Sequence, residues 1–348
     1  MSELRQDPTT GAWVAIAHER AGRQGALHHP PQPAPAGGGH AAPSNCPFCV
    51  GAEGETPREI ARLRLPGDAL PWRVRVVPNR YPAFSPQAGQ AAQAARAPQP
   101  DPPFVRMLGR GHHEVVVETP RHGHPFWDFA PEHAALVLQA WQQRYRVLAG
   151  GEGVAAVVVF KNHGAQAGAS LAHAHSQIVA VPVVPQRLAL KQALAREHAG
   201  RTGRSLYAAV LEGERAAGLR IVLESPRLAA FAPYASRWPY ETWLLPCDLE
   251  TPFEALAPER LAELAVACQR LLRAIRRVEG ELAFNLLLST PPLRAAGAAR
   301  YPWHLELLPR FVQPGGFELT TELMINPVPP ELCAERLRQA LAEEEAPG

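Results

Sequence analysis

The chain has 348 residues, 46% of them apolar, which is enough for two domains of ordinary size with real cores. A formal net charge of +2 gives no argument for a nucleic-acid or membrane partner. Cys46, Cys49, Cys247, Cys268 and Cys333 are too few and too unevenly spread for a disulfide framework, no signal-type apolar run follows Met1, and no stretch reaches the ~20 apolar residues of a membrane helix; a soluble protein of the reducing cytoplasm is expected.

In chain order, Ala17-His18-Glu19-Arg20-Ala21-Gly22-Arg23 reads as an exposed basic turn. Residues 28–43, rich in Pro, Gly, Ala and His, and 85–103, rich in Pro, Ala and Gln, have no period that could bury a face, so both are expected to be mobile loops and His28, His29 and His40 solvated bystanders. Between them, Cys46-Pro47-Phe48-Cys49 has the spacing with which two thiolates reach one zinc ion at about 2.3 Å. A redox dithiol is the competing reading, but a Pro/Gly-rich loop surrounds the pair rather than a βαβ unit. A closed zinc site needs two more ligands.

From residue 114 onward the chain repeats itself at a displacement of 127. Pro125-Phe126 and Ala130-Pro131-Glu132 recur as Pro252-Phe253 and Ala257-Pro258-Glu259, each opening a helix with Pro in its first turn. One helix carries Ala134, Val137, Leu138, Trp141, Tyr145 and Leu148 on one face, the other Leu261, Leu264, Ala265, Cys268, Leu271, Leu272 and Ile275. Strand-like Glu114–Val117 and Val157–Phe160 match 241–244 and 284–287, and the strand ending at Pro182 matches one ending at Pro309. Two α+β units of antiparallel sheet and packed helix follow, spanning 1–187 and 188–348. The tail Glu343-Glu344-Glu345 reads as a frayed, charged end.

The most informative segment is Asn162-His163-Gly164-Ala165-Gln166-Ala167-Gly168-Ala169-Ser170-Leu171-Ala172-His173-Ala174-His175-Ser176-Gln177. In an extended strand His173, His175 and Gln177 share one face. Alternating histidines can also be a strand's polar face, but Ile178-Val179-Ala180-Val181 continues as an apolar run that buries the row. An unprotonated imidazole can attack phosphorus, Gln177 can donate to a phosphoryl oxygen, and Ser170 with the amides near Gly168 can cradle a leaving phosphoryl group. At the repeat displacement the row becomes Arg300, Pro302 and His304, so the second unit is expected to have lost it and to serve as support.

This segment resembles the active-site pattern N-x-G-x-x-x-G-x-S-x-x-H-x-H-x-Q of the galactose-1-phosphate uridylyltransferase family, within the histidine-triad superfamily. The resemblance implies tandem histidine-triad-like α+β units, with His175 as nucleophile, Gln177 and Ser170 beside it, and Asn162 facing the phosphates. It implies that His122 and His173 complete one structural zinc site with Cys46 and Cys49. Gln177, in place of the third histidine of the hydrolysing relatives, favours transfer over hydrolysis.

Arg20 and Arg23 match a segment that reaches a phosphate across a homodimer interface, Asn79 a ribose-side asparagine, and Glu318 a hexose-hydroxyl carboxylate, with Asn326 a weaker candidate. Arg80 stands where many uridylyl enzymes carry an acid. The implied partners are a nucleotide sugar and a sugar phosphate. The implied activity moves UMP between UDP-glucose and galactose 1-phosphate through a uridylyl-histidine. Gly168-Ala169-Ser170 and Ile325-Asn326-Pro327-Val328 also resemble plant-type adenylyltransferases, which makes ADP-glucose phosphorolysis the alternative. A catalytically silent nucleotide-binding protein is the third reading.

Overall fold

The computed structural model describes residues 2–22, 46–87, 103–293 and 301–345. Loop 28–43, with its three histidines, most of loop 85–103, Arg23 and Arg300 lie outside the described residues. The chain opens with β1 (Glu3–Gln6) and β2 (Trp13–Ile16). Strands β3 (Ala61–Leu63), β4 (Val74–Pro78) and β5 (His112–Val117) precede helix α1 (Pro131–Ala149), and β6 (Ala156–His163) and β7 (His175–Val181) complete the first unit.

Helices α2 (Gln186–Thr202) and α3 (Leu206–Ala217) lead to β8 (Ile221–Glu224), β9 (Leu228–Phe231) and β10 (Thr242–Pro246). Helix α4 (Pro258–Glu279), β11 (Phe284–Ser289) and β12 (His304–Pro309) follow. The chain closes with α5 (Gly316–Thr321), β13 (Met324–Asn326) and α6 (Pro330–Glu345).

Among the described residues, ten strands form one antiparallel sheet in the order β3-β4-β5-β7-β6-β11-β12-β10-β9-β8, with β6 and β11 joining the two units. This is the expected α+β architecture. The remaining three make a small sheet in which β13 runs parallel to β2 and ties the end of the chain to its start. Pro131 and Pro258 begin α1 and α4, where a proline's missing N–H costs nothing. The apolar faces of both helices, Cys268 included, are buried against the sheet and each other.

Successive strand residues alternate faces. On β7, Ser176 turns toward α1, where the indole Nε1 of Trp141 donates to its hydroxyl at 2.7 Å. His175 and Gln177 take the opposite face. In the second unit that face is covered by α2 and α3, through a core of Leu206, Tyr207, Leu211, Trp243 and Tyr301. In the first it is the Cys46–Cys49 loop that packs there, Phe48 against Val115 and Val117.

Strand pairing corrects the repeat register. Gln177 lies between Phe160 and Val115, and Glu306 between Leu287 and Trp243. Phe160 to Leu287 keeps the 127-residue displacement, but Val115 to Trp243 is 128 and Gln177 to Glu306 is 129. The equivalents of His173, His175 and Gln177 are therefore Pro302, His304 and Glu306, and that of Glu114 is Thr242 rather than Glu241. Register is set by which residues pair across strands, and connections of unequal length let it slip relative to a uniform count. A second correction concerns the tail: α6 runs to Glu345, and Glu344 accepts from Arg273 Nε at 2.5 Å, so the acidic end is a docked helix.

Candidate active site

His175 opens β7 with its side chain 94% buried, and its ring Nδ1–H donates to the carbonyl of His173 at 2.8 Å. That bond assigns the hydrogen to Nδ1 and leaves a lone pair on Nε2, which has no partner among the described residues. Burial holds the imidazole below its usual pKa, against the opposing pull of the His173 carbonyl. A neutral, oriented imidazole is what nucleophilic attack on phosphorus requires.

The strand carrying this ring is held from behind. Lys161 and Glu118, both buried on the helix side of the sheet, form an ion pair at 2.6 Å, and Lys161 Nζ also donates to the carbonyl of His175 at 3.3 Å. The Glu118 amide donates to the carbonyl of Ala174 at 3.1 Å. Backbone groups on both sides of the His175 Cα are thereby fixed. Neither residue was selected from the sequence. The available signal was a lysine directly after the apolar run Val157–Phe160 and a glutamate directly after Val115–Val117, charges where a buried strand ordinarily has none.

Cys46, Cys49, His122 and His173 converge so that their ligand atoms all lie within 4.8 Å of one another. His173 Nδ1 is 3.5 Å from the Cys46 sulfur and 3.6 Å from that of Cys49, and His122 Nδ1 is 3.7 Å from Cys49. Sulfur and nitrogen ligands of one tetrahedral zinc are separated by ~3.6 Å, from bond lengths of about 2.3 and 2.0 Å, so the donor set fits that ion. His173 Nε2–H donates to the Thr119 carbonyl at 2.7 Å, which turns the Nδ1 lone pair toward the sulfurs, the usual outer-shell arrangement of a metal-ligating histidine. Phe48, inside the C-x-x-C, packs its ring centroid 5.5 Å from that of His175 and so links this cluster to that ring.

Between β6 and β7 the loop turns on two glycines in conformations that other residues resist, Gly164 at φ 82° and Gly168 at φ 81°. The amides of Ala167, Gly168 and Ala169 donate to the carbonyls of Gly164 and Ala165, so they close the loop instead of forming the expected open cradle. Ser170 is exposed at its end. Asn162 lies at the entrance, and Asn285 of β11 donates from Nδ2 to Asn162 Oδ1 at 2.8 Å and to the Ala167 carbonyl at 2.9 Å. The second unit thus supplies a residue that secures the loop, which the sequence reading passed over because Asn285 sits in an otherwise ordinary strand.

The second unit's counterpart is still a histidine, not the expected proline. His304 donates its Nδ1–H to the carbonyl of Pro302 at 3.2 Å, as His175 does to that of His173, but its Nε2 accepts from the ammonium of Lys191 at 2.9 Å. Lys191, fully buried on α2, also donates to Ser289 Oγ at 3.0 Å and to the Glu306 carboxylate. Its own burial lowers it to about 8, against the pull of Glu306, so it is a cation at neutral pH. The second row therefore keeps the ring, but its Nε2 lone pair is occupied.

Of the other selected residues, Asn79 lies near Gln177, both within reach of the His113 ring, and the rest are placed elsewhere. Arg20 is exposed on the helical turn His18–Gly22 after β2. Asn79 follows β4, its Oδ1 accepting from the Tyr81 amide at 2.8 Å. Glu318 accepts from the Gly315 amide at 2.9 Å and caps α5. Asn326 is buried with both polar ends spent on the backbone at Ser236 and Val328, a structural role in place of the expected contact. No helix among the described residues is long and apolar enough to cross a membrane.

Residues 1–185 match the family model for galactose-1-phosphate uridyl transferase, N-terminal domain. ADP-glucose phosphorylase of Arabidopsis thaliana is 32% identical over 343 residues, covering 97% of this chain and 92% of that protein. A galactose-1-phosphate uridylyltransferase of Streptomyces lividans is 31% identical over 354 residues, covering 97% and 87%. The crystal structure of an Arabidopsis thaliana ADP-glucose phosphorylase with bound ADP-glucose superposes with a TM-score of 0.80 at 30% identity, covering 97% and 98% of the two chains. Taken with the site's geometry, these relationships make the chain a nucleotidyltransferase acting between sugar phosphates, and it belongs to the galactose-1-phosphate uridylyltransferase family of the histidine-triad superfamily.

Proposed function

We propose that the protein phosphorolyses an ADP-sugar of the ADP-glucose type through an adenylyl group carried on His175. The observation that supports this reading over uridylyl transfer is the likeness, along nearly the whole chain, to ADP-glucose phosphorylase in both sequence and fold. Arg80, in the place of the acid that many uridylyl enzymes carry beside the ribose, agrees with it.

In the first step His175 Nε2 attacks the α-phosphorus, the bond from that phosphorus to the bridging oxygen breaks, and hexose 1-phosphate leaves with the electron pair. In the second an oxygen of inorganic phosphate attacks the same phosphorus, the P–N bond breaks, and ADP departs. Two in-line displacements of similar difficulty give ping-pong kinetics. Gln177 Nε2 donates to a non-bridging α-phosphoryl oxygen, and Asn162 and Ser170 receive the leaving phosphate on the loop that turns at Gly168. Cys46, Cys49, His122 and His173 would hold a structural zinc that fixes the backbone aiming the nucleophile. Asn79 would face the ribose and Glu318 the hexose, with Arg20 and Arg23 reaching a phosphate in the partner of a homodimer.

The second reading, transfer of UMP between UDP-glucose and galactose 1-phosphate, is favoured by the Streptomyces lividans relative at nearly the same identity. Incubation with ADP-glucose or UDP-glucose, each paired with phosphate or galactose 1-phosphate, separates them. ADP formation from ADP-glucose and phosphate supports the proposal. Exchange confined to UDP-glucose and galactose 1-phosphate refutes it in favour of the second reading.

A further inference from the structure

Gln177 must present one particular end of a nearly symmetrical side chain. Its NH2 group attracts a phosphoryl oxygen, whereas its carbonyl oxygen repels one, and the two ends are almost alike in shape. A carboxamide without a fixed partner samples both orientations. What selects one here is His113, on β5.

Val115 pairs directly with Gln177, which makes His113 its diagonal neighbour on the same face of the sheet. The two ring nitrogens of His113 have different partners. Nδ1 lies 3.2 Å from the amide nitrogen of Ala83. A backbone N–H can only donate, so Nδ1 carries the lone pair and the ring hydrogen is on Nε2. Nε2–H then donates to Gln177 Oε1 at 2.7 Å. Asn79 Nδ2 is 3.1 Å from the same Nε2, but the Asn79 oxygen already accepts from Tyr81, which fixes the Asn79 NH2 toward the ring, so with the hydrogen on Nε2 this contact joins two donors.

We propose that His113 is a positioning residue for nucleotidyl transfer: its tautomer, set by the Ala83 amide, locks the Gln177 carboxamide with its NH2 toward the transferred phosphoryl group. The order of donation is Ala83 N–H to His113, His113 to Gln177, and Gln177 to the phosphoryl oxygen. His113 touches no substrate. This inference rests on the proposed role of Gln177 as a phosphoryl donor and adds to it the residue that makes that role possible.

The test is a double-mutant cycle on single-turnover formation of nucleotidyl-enzyme, using ADP-glucose or UDP-glucose, whichever the native protein accepts. His113→Phe is expected to slow nucleotidylation and its reversal about tenfold each, because one oriented donor to a developing phosphoryl charge is weakened. KM for the nucleotide sugar and the thermal midpoint should stay near native. His113→Gln, which keeps an N–H near the position of Nε2, should recover most of the rate. In a Gln177→Leu background His113→Phe should cost nothing further. Equal losses in both backgrounds, or a native rate in His113→Phe, would overturn the positioning role while leaving the nucleotidyl-histidine intact. Failure of the native protein to form any adduct would overturn both, through the parent reading.

Discussion

Gln142 and Gln269 make the same pair of hydrogen bonds in opposite directions across the two units. Gln142 Nε2 donates to the carbonyls of Phe253 and Leu256 at 3.0 and 2.8 Å, and Gln269 Nε2 to those of Phe126 and Phe129 at 3.0 and 2.8 Å. Each unit's helix thus closes the short turn that enters the other unit's helix. Both glutamines are buried, so truncation removes the side-chain donor to the Leu256 or Phe129 carbonyl and leaves the Phe253 or Phe126 carbonyl only its longer bond to a backbone amide of the same turn. Gln142→Leu and Gln269→Leu are each expected to lower unfolding stability by about 1–3 kcal/mol. Urea denaturation checks this, and an unchanged midpoint in both would show that the exchange does not contribute to holding the units together.

The 127-residue displacement holds for these helices and turns, and there the sequence was a reliable guide: matching prolines and two matching apolar faces. It failed in β5 and β10, which precede those helices, and in β7 and β12, which end the two units. Helical positions are counted from within one segment, whereas a strand's place is decided by partners far away in the chain, so the slip from 127 to 129 at Glu306 left no local trace. The row His173, His175 and Gln177 and the Cys46–Cys49 pair were legible because spacing alone carries them. His113, Asn285 and the Lys161–Glu118 pair were not, because each matters through a neighbour that only the folded sheet brings into reach.

Asn285 provides a test of support from the second unit. Asn285→Leu removes the donor to Asn162 Oδ1 and to the Ala167 carbonyl, so the Asn162 amide and the loop lose their fixed orientation. Transfer should slow by about ten- to a hundredfold with the circular dichroism spectrum retained. Steady-state assay of the substituted protein beside native enzyme decides it, and a native kcat would exclude this support.

For the four-ligand cluster, protein purified without a tag should carry about one zinc per chain, and stripping it with a chelator should lower the thermal midpoint. Cys46→Ser and Cys49→Ser should lose both metal and stability. Elemental analysis that finds active protein without zinc would contradict the assignment.

Stability should fall on acidification partly through His304. Burial, reinforced by the neighbouring Lys191 charge, pushes this imidazole down to about 4, whereas in the unfolded chain it titrates near 6.5. The unfolded state therefore binds the proton first. The contribution is complete above about pH 6.5 and is lost as pH falls toward 4, at up to about 1.4 kcal/mol per pH unit for one proton. His304→Gln, which keeps an acceptor for Lys191, should flatten this slope without abolishing it, because His163, lowered to about 3 chiefly by burial, acts in the same sense. Denaturation at a series of pH values measures the difference, and identical slopes would exclude His304 as a source.

The central claim is that His175 carries the nucleotide, and peptide mass spectrometry after exposure to ADP-glucose or UDP-glucose without an acceptor tests it most directly. The native protein should show a nucleotide monophosphate, acid-labile and bound through nitrogen, on the peptide containing His175, and lose it when phosphate or galactose 1-phosphate is added. His175→Ala should show none. His175→Gly should also show none, yet pass the nucleotide from a supplied nucleotidyl-imidazolide to the acceptor, because the space left by the ring admits an imidazole. An adduct on another histidine, or near-native turnover by His175→Ala, would contradict the account.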